Sequence, residues 1–203
     1  MIDFSPDMKR EAEALLADFP NKKSALLMML RLVEKQFGCI EDAGMELAAK
    51  YCEVSDAHVQ GAVTFYTHFK RPYHGKHRFM VCATLMCSMG GHSDRALDQI
   101  EARLGLKAGE RSADGLFSVE KVECLADCHL PPVVQINFDH RTCLEGEALE
   151  KYVEDLLKSE GKTDADYKGK AGVKMNVRVS VLPVQPTLHQ LRVGPGPAGG
   201  SGS

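Results

Sequence analysis

Cysteine carries the chemistry most visible in this chain. Seven are present, and four form two close pairs: Cys82-x4-Cys87 and, after 36 intervening residues, Cys124-x3-Cys128. In a [2Fe-2S] centre each tetrahedral iron takes two bridging sulfides and two protein thiolates, so two local pairs are the arrangement it asks for. A structural zinc ion also takes four thiolates, and a Cys-x4-Cys pair lies within its usual spacing. Two unconnected pairs of reduced thiols are a third reading. The plant-type spacing Cys-x4-Cys-x2-Cys fails because residue 90 is Gly. A Rieske centre would need two His ligands. His92 and His129 lie near the pairs, but four cysteines already complete a set, so both read as surface or supporting residues.

The surroundings suit a buried cofactor. Small and apolar residues separate Cys82 from Cys87, and Gly90 and Gly91 let the chain turn afterwards. The second pair runs into the stiff Pro131-Pro132 segment. Amide groups in such loops can hydrogen-bond to sulfur and tune a reduction potential. No basic stretch followed by an apolar one opens the chain, so no secretory signal is read and a reducing, cytoplasmic setting is expected. There the thiols read as ligands or free thiols rather than disulfides. Cys39, Cys52 and Cys143 stand alone in or beside expected core elements and read as buried structural thiols.

Both pairs need scaffolding, and the pattern supplies it. Residues 78–81 read as a strand ending at Cys82, and 116–122 as a strand leading to Cys124. Loops leaving one edge of a sheet can converge on one object. A helix over 93–104 carries Leu97, Ile100 and Leu104 on one face. Residues 133–137 read as a strand, with a turn at 138–140 and a return over 142–144. Helix 147–158 places Leu149, Tyr152, Val153, Leu156 and Leu157 at helical spacing. Before these, four helices are expected in the first ~70 residues. Ser5 caps the first and Pro20 stops it; the second, 23–37, is apolar nearly all round and ends at Gly38. It reads either as a central core helix or as one that also meets another subunit. Residues 161–172 read as a polar linker. Val173 to Val181 alternate like a strand without a local partner, and the Gly/Pro/Ser-rich end from Gly194 reads as disordered.

Composition excludes several classes. The chain has 203 residues, 44% of them hydrophobic and 26% charged, with a net charge of −3. Nothing there points to nucleic acid. No apolar run approaches the ~18 residues of a membrane span. The Gly194 to Gly199 segment formally matches G-x-G-x-x-G, but no strand–helix context surrounds it. The chain has no hydride-transfer machinery of its own.

With these residues in place, the chain resembles the small thioredoxin-like [2Fe-2S] subunit of respiratory complex I, the 24-kDa-type or E subunit of NADH:quinone oxidoreductases. The likeness rests on Ser24 to Leu27 with Val33, Phe37 and Gly38, and on Val63-Thr64-Phe65-Tyr66. It also rests on Val81-Cys82-x4-Cys87 and on Glu123 to Asn137, and spans about residues 3–158. The resemblance implies an α+β fold, an N-terminal helical bundle (1–72) followed by a thioredoxin-like α/β ferredoxin domain (73–159), with 160–203 as an extension. It implies one [2Fe-2S] cluster on Cys82, Cys87, Cys124 and Cys128. It further implies a partner flavoprotein subunit holding FMN and the NADH site, other peripheral-arm subunits, and a place on the cytoplasmic face of the membrane without insertion. The same module serves NAD-linked hydrogenases and formate dehydrogenases, and a zinc-stabilised interaction module remains the alternative outside electron transfer. One departure stands out. The second loop of the family commonly reads Cys-Leu-Gly-Ala-Cys, whereas here Ala126 and Asp127 precede Cys128. Ala126 replaces a permissive glycine, and Asp127 puts a carboxylate where reduction adds negative charge.

Overall fold

The structure is a computed structural model that describes residues 2–175. Its N-terminal part is a bundle of four helices: α1 (Pro6–Ala17), α2 (Leu26–Phe37), α3 (Asp42–Cys52) and α4 (Asp56–Phe65). Local chemistry sets their ends. The Ser5 hydroxyl accepts the Met8 N–H at 3.4 Å and Pro6 begins α1, while the Ser55 hydroxyl accepts the His58 N–H ahead of α4 at 3.3 Å. Gly38 closes α2 in the left-handed region at φ 80°. Met29, Leu30 and Val33 of α2 are fully buried, with Ile40, Ala48 and Val59 around them. α2 is therefore a central core helix, with Met28 at 50% and Phe37 at 39% its exposed large apolar residues. The close approach of α3 depends on Gly44, where a Cβ would come within 2.7 Å of the Val33 side chain.

The second part is a six-stranded sheet in the order β5-β4-β1-β3-β2-β6. Its strands are β1 (His77–Cys82), β2 (Glu110–Arg111), β3 (Phe117–Val122), β4 (Val134–Ile136), β5 (Asp139–Arg141) and β6 (Val173–Lys174). β1 and β3 run parallel at its centre, joined through the one-turn helix α5 (Leu85–Ser88) and α6 (His92–Leu104); the other pairings are antiparallel. α7 (Glu147–Ser159) follows β5. Because side chains alternate along a strand, Phe79, Val81, Phe117, Val119, Val134 and Ile136 share one face. They pack there with Ile100 and Leu104 of α6 and Leu149, Val153 and Leu157 of α7.

The opposite face is polar. Buried Arg78 pairs with Glu120, Ser118 accepts the Gly75 N–H at 2.9 Å, and buried His74 lies 3.8 Å from Glu120. The bundle core and the sheet core share no residue. The two halves therefore do not share a hydrophobic core; Arg31 and His68 of the N-terminal half reach Phe138 of the β4–β5 turn.

Three expectations change. The hairpin returns over 139–141 instead of 142–144. Asn137 adopts φ 55°, which makes Asn137-Phe138 a tight two-residue turn and pulls the return strand forward. The expected polar linker is packed: Tyr167 is 4% exposed, meets Phe117 edge-on at 5.3 Å and donates to Asp114 at 2.8 Å. Its single large aromatic ring outweighs the polar residues around it. Val173 and Lys174, the start of the alternating stretch, find a partner in β2 at the sheet edge. The rest of that stretch and the Gly/Pro/Ser-rich end lie outside the described residues.

Candidate metal centre

The sheet brings both cysteine loops to one edge. β1 and β3 are adjacent and parallel, in a register that sets Cys82 beside Val122. The first pair thus begins at the end of β1 and the second just beyond the end of β3. The Cys82 N–H donates to the Val133 carbonyl and the Ala83 N–H to the Val122 carbonyl, both at 3.0 Å. Ser93, at the start of α6, donates its buried hydroxyl to the Cys82 carbonyl at 2.6 Å. The second loop is tied from behind: the Cys143 N–H reaches the Leu130 carbonyl at 3.1 Å and the Leu144 N–H the Pro132 carbonyl at 3.3 Å.

The four expected residues are unequal in environment. Cys82 and Cys87, the latter on α5, are each 1% exposed and form a small apolar cluster with Val133 and Leu125. Cys124 and Cys128 are exposed, and their sulfurs stand 3.6 Å apart. All four are free thiols. Among the described residues, no three His, Cys, Asp or Glu side chains gather around one ion-sized point. The sulfurs stand as two pairs, Cys124 with Cys128 and Cys82 with Cys87, the grouping that the two irons of a [2Fe-2S] centre use.

Of the sulfurs in this pocket, that of Cys82 is set up to be negative. Burial opposes ionisation of Cys82, but the Thr84 hydroxyl at 3.1 Å and the amides of Thr84 and Leu125 outweigh it and draw the thiol below its ordinary range. The Ala126 N–H points at the Cys124 sulfur at 3.4 Å. Burial raises the Cys87 thiol against the pull of the Val133 amide, and the Cys124 side chain raises that of Cys128. Cys82 adds to the rise at both, so the two pairs feel one another. Thiolates paired this closely repel unless positive charge lies between them. A pair of iron ions supplies that charge, and the donor set fits a [2Fe-2S] centre.

Several supporting residues escaped the reading from sequence. Thr84 lies only two residues from Cys82, where a hydroxyl donor to sulfur was detectable. The Val133 amide and Ser93 were not, because they reach the site through the fold. Asp127, exposed, pairs with His140 of β5 at 3.0 Å. Ala126 and Asp127 both adopt the left-handed region, at φ 66° and 53°. His129 is exposed, and His92 bonds to Glu145 at 2.9 Å instead of facing the sulfurs. Of the lone cysteines only Cys52 is buried; Cys39 is intermediate. Cys143 is exposed, against expectation, because its own left-handed turn at φ 51° carries it out of the core.

A thioredoxin-like sheet with two cysteine loops at one edge defines a class, and comparison agrees. The chain belongs to the thioredoxin-like [2Fe-2S] ferredoxin family, which it matches over residues 12–157. It is 32% identical over 174 residues to NADH-quinone oxidoreductase subunit 2 of Thermus thermophilus, covering 84% of this chain and 96% of that protein. It is 30% identical to an E-type subunit of the NADH-quinone oxidoreductase of Rhizobium meliloti, covering 78% and 94% respectively. Among solved structures, an NAD+-reducing [NiFe]-hydrogenase in the H2-reduced state superposes with a TM-score of 0.54 at 15% identity. That match covers 64% of this chain and 22% of the hydrogenase chain, and it is a likeness of fold. The α+β, thioredoxin-like expectation holds, and an iron–sulfur family favours [2Fe-2S] over zinc.

Proposed function

We propose that this chain is the electron-transfer subunit of an NADH-quinone oxidoreductase, with Cys82, Cys87, Cys124 and Cys128 as the four ligands of one [2Fe-2S] cluster. The observation that carries the reading is the placement of both cysteine pairs at one edge of the sheet, at the ends of adjacent parallel strands. When bound, such a cluster supplies a site that takes up and gives up one electron at a time. Cys82 and Cys87 form the dry wall of the site, and Cys124 and Cys128 its open wall. Thr84 and Leu125 direct donors at the Cys82 sulfur and favour its ionised form, while Val133 and Ala126 aim amides at Cys87 and Cys124.

The partner is a flavoprotein subunit that holds FMN and the NADH site, within the peripheral arm of the complex. Leu85, Met86, Met89 and Leu130, on the cysteine loops and just after them, are 73%, 44%, 57% and 39% exposed. An apolar rim of this kind suits a protein surface that seals against it and brings a second redox group near. No helix among the described residues is long and apolar enough to cross a membrane. In this reading the chain sits on the cytoplasmic side, held to the membrane through its complex. The sequence relatives favour a quinone-linked assembly over a hydrogenase or formate dehydrogenase.

Anaerobic purification with iron, sulfide and zinc analysis tests the reading, with EPR of the reduced protein. Two irons and two labile sulfides per chain are expected; stoichiometric zinc without labile sulfide would overturn it. Serine at any of the four ligand positions should deplete or alter the EPR signal, whereas serine at Cys39, Cys52 or Cys143 should leave it in place.

A further inference from the structure

Between the helical bundle and the sheet lies a cavity of about 440 Å³, away from the cysteine loops. That is within the usual size of small-molecule sites, which favour junctions between structural units. Its lining carries five cationic side chains, Arg31, Lys35, Lys70, Lys76 and Arg78, against one carboxylate, Glu34. Four of the five are already neutralised. Arg31 pairs with Glu34 at 2.6 Å, Lys35 with Glu11 at 2.8 Å, Lys76 with Glu160 at 2.7 Å, and Arg78 with Glu120. Lys70 has no ion-pair partner among the described residues. Its backbone is nevertheless fixed at both ends, since its N–H donates to Glu34 at 3.1 Å and its carbonyl accepts the Ile40 N–H at 2.8 Å. Five cations against four carboxylates leave one positive charge, on a rigidly mounted, half-buried lysine.

The second feature is aromatic. Phe138, at the tip of the β4–β5 turn, is 70% exposed yet lines this cavity. The His68 ring lies nearly parallel to it, with centroids 6.4 Å apart and 19° between planes. Burial, reinforced by Arg31 and Arg78, lowers the His68 pKa and so disfavours a charge on the ring. It therefore acts as a flat surface. The Arg31 guanidinium lies 5.4 Å from the Phe138 centroid and 4.8 Å from that of Phe69, which holds its fork in one orientation.

An unpaired cation beside an exposed flat ring calls for a ligand with one anionic group and one aromatic plane. We propose that this cavity binds a nucleoside monophosphate, with the base against Phe138 and His68 and the phosphate on Lys70. A single excess positive charge favours one phosphate over a di- or triphosphate.

The test is calorimetric titration of the full, cluster-loaded chain with AMP, adenosine and inorganic phosphate in separate arms. Saturable AMP binding is expected, with adenosine and phosphate each at least about tenfold weaker, because each keeps only half of the contacts. Lys70→Ala should weaken AMP binding about tenfold, the scale of one charge-assisted hydrogen bond. Phe138→Ala should weaken it several-fold. Both side chains reach solvent, so both variants should fold and keep the cluster's EPR signal, which separates this test from that of the cluster itself. The proposal fails if AMP, GMP, CMP and UMP all show no saturable binding at millimolar concentration. It also fails if AMP affinity is unchanged in both variants, or if Lys70→Ala alters only association with the partner subunit.

Discussion

At the scale of single residues, the second cysteine loop stands out for two consecutive residues in the left-handed region, Ala126 and Asp127. Ala126 holds a left-handed backbone that costs an L-residue about 1–2 kcal/mol, whereas Gly adopts it freely. Asp127, in the same region, is a residue type that tolerates it better. Ala126→Gly should therefore raise stability by about 1 kcal/mol, read from urea unfolding of the cluster-free chain. No gain, or a loss, would mean that the loop does not keep this conformation in solution. Asp127 bears on the electron. Its carboxylate sits beside Cys128, a proposed ligand, and adding an electron beside a fixed negative charge is disfavoured. Asp127→Asn should raise the reduction potential by on the order of tens of millivolts, the modest size reflecting solvent screening and the His140 contact. A potentiometric EPR titration with no rise, or a fall, would refute this.

At the scale of elements, the polar layer beneath the sheet governs acid stability. Buried His74 accepts the Arg71 N–H at Nδ1 at 3.0 Å. Burial, then the charges of Arg78, Lys70 and Arg71, lower its pKa from 6.5 to about 3. The folded chain keeps this ring neutral while the unfolded chain protonates it below pH 6.5. Stability is thus whole above pH 6.5 and falls as pH drops toward 3. Glu120, 3.8 Å away, is the carboxylate facing it among the described residues and is already engaged by Arg78. In His74→Gln, the drop in unfolding free energy between pH 7.5 and pH 5 should shrink by about 2 kcal/mol. An unchanged slope would place acid sensitivity elsewhere.

Helix caps and strand alternation were legible in the sequence because they are short-range: Ser5, Ser55 and Gly38 sit where local chemistry needs them. The hairpin was misplaced by three residues because nothing in its apolar pattern reveals the left-handed Asn137. Tyr167 and the Arg78–Glu120 layer were not legible, since their partners lie 50 and 42 positions away, at Phe117 and Glu120. The four candidate ligands were readable as a set. Iron and zinc were not separable, because ligand spacing records the ligand shell and not the ion.

At the scale of the whole molecule, the position of the proposed ligands relative to the cores decides what cluster loss does. Cys82 and Cys87 belong to a small group with Val133 and Leu125, outside both large cores. Chelating the metal from the folded chain should leave the far-ultraviolet circular dichroism nearly intact and loosen only the cysteine loops, visible as faster hydrogen exchange there. Global unfolding of the cluster-free chain at room temperature would contradict this.

That separateness has a consequence for how such a subunit is made. A scaffold that stands without its cofactor can leave the ribosome, fold and wait. Its cysteine loops, with Cys124 and Cys128 open to solvent, then face whatever delivers iron and sulfide. The last event in its maturation can be the filling of a site already built, and a damaged cluster can be replaced without dismantling the chain around it.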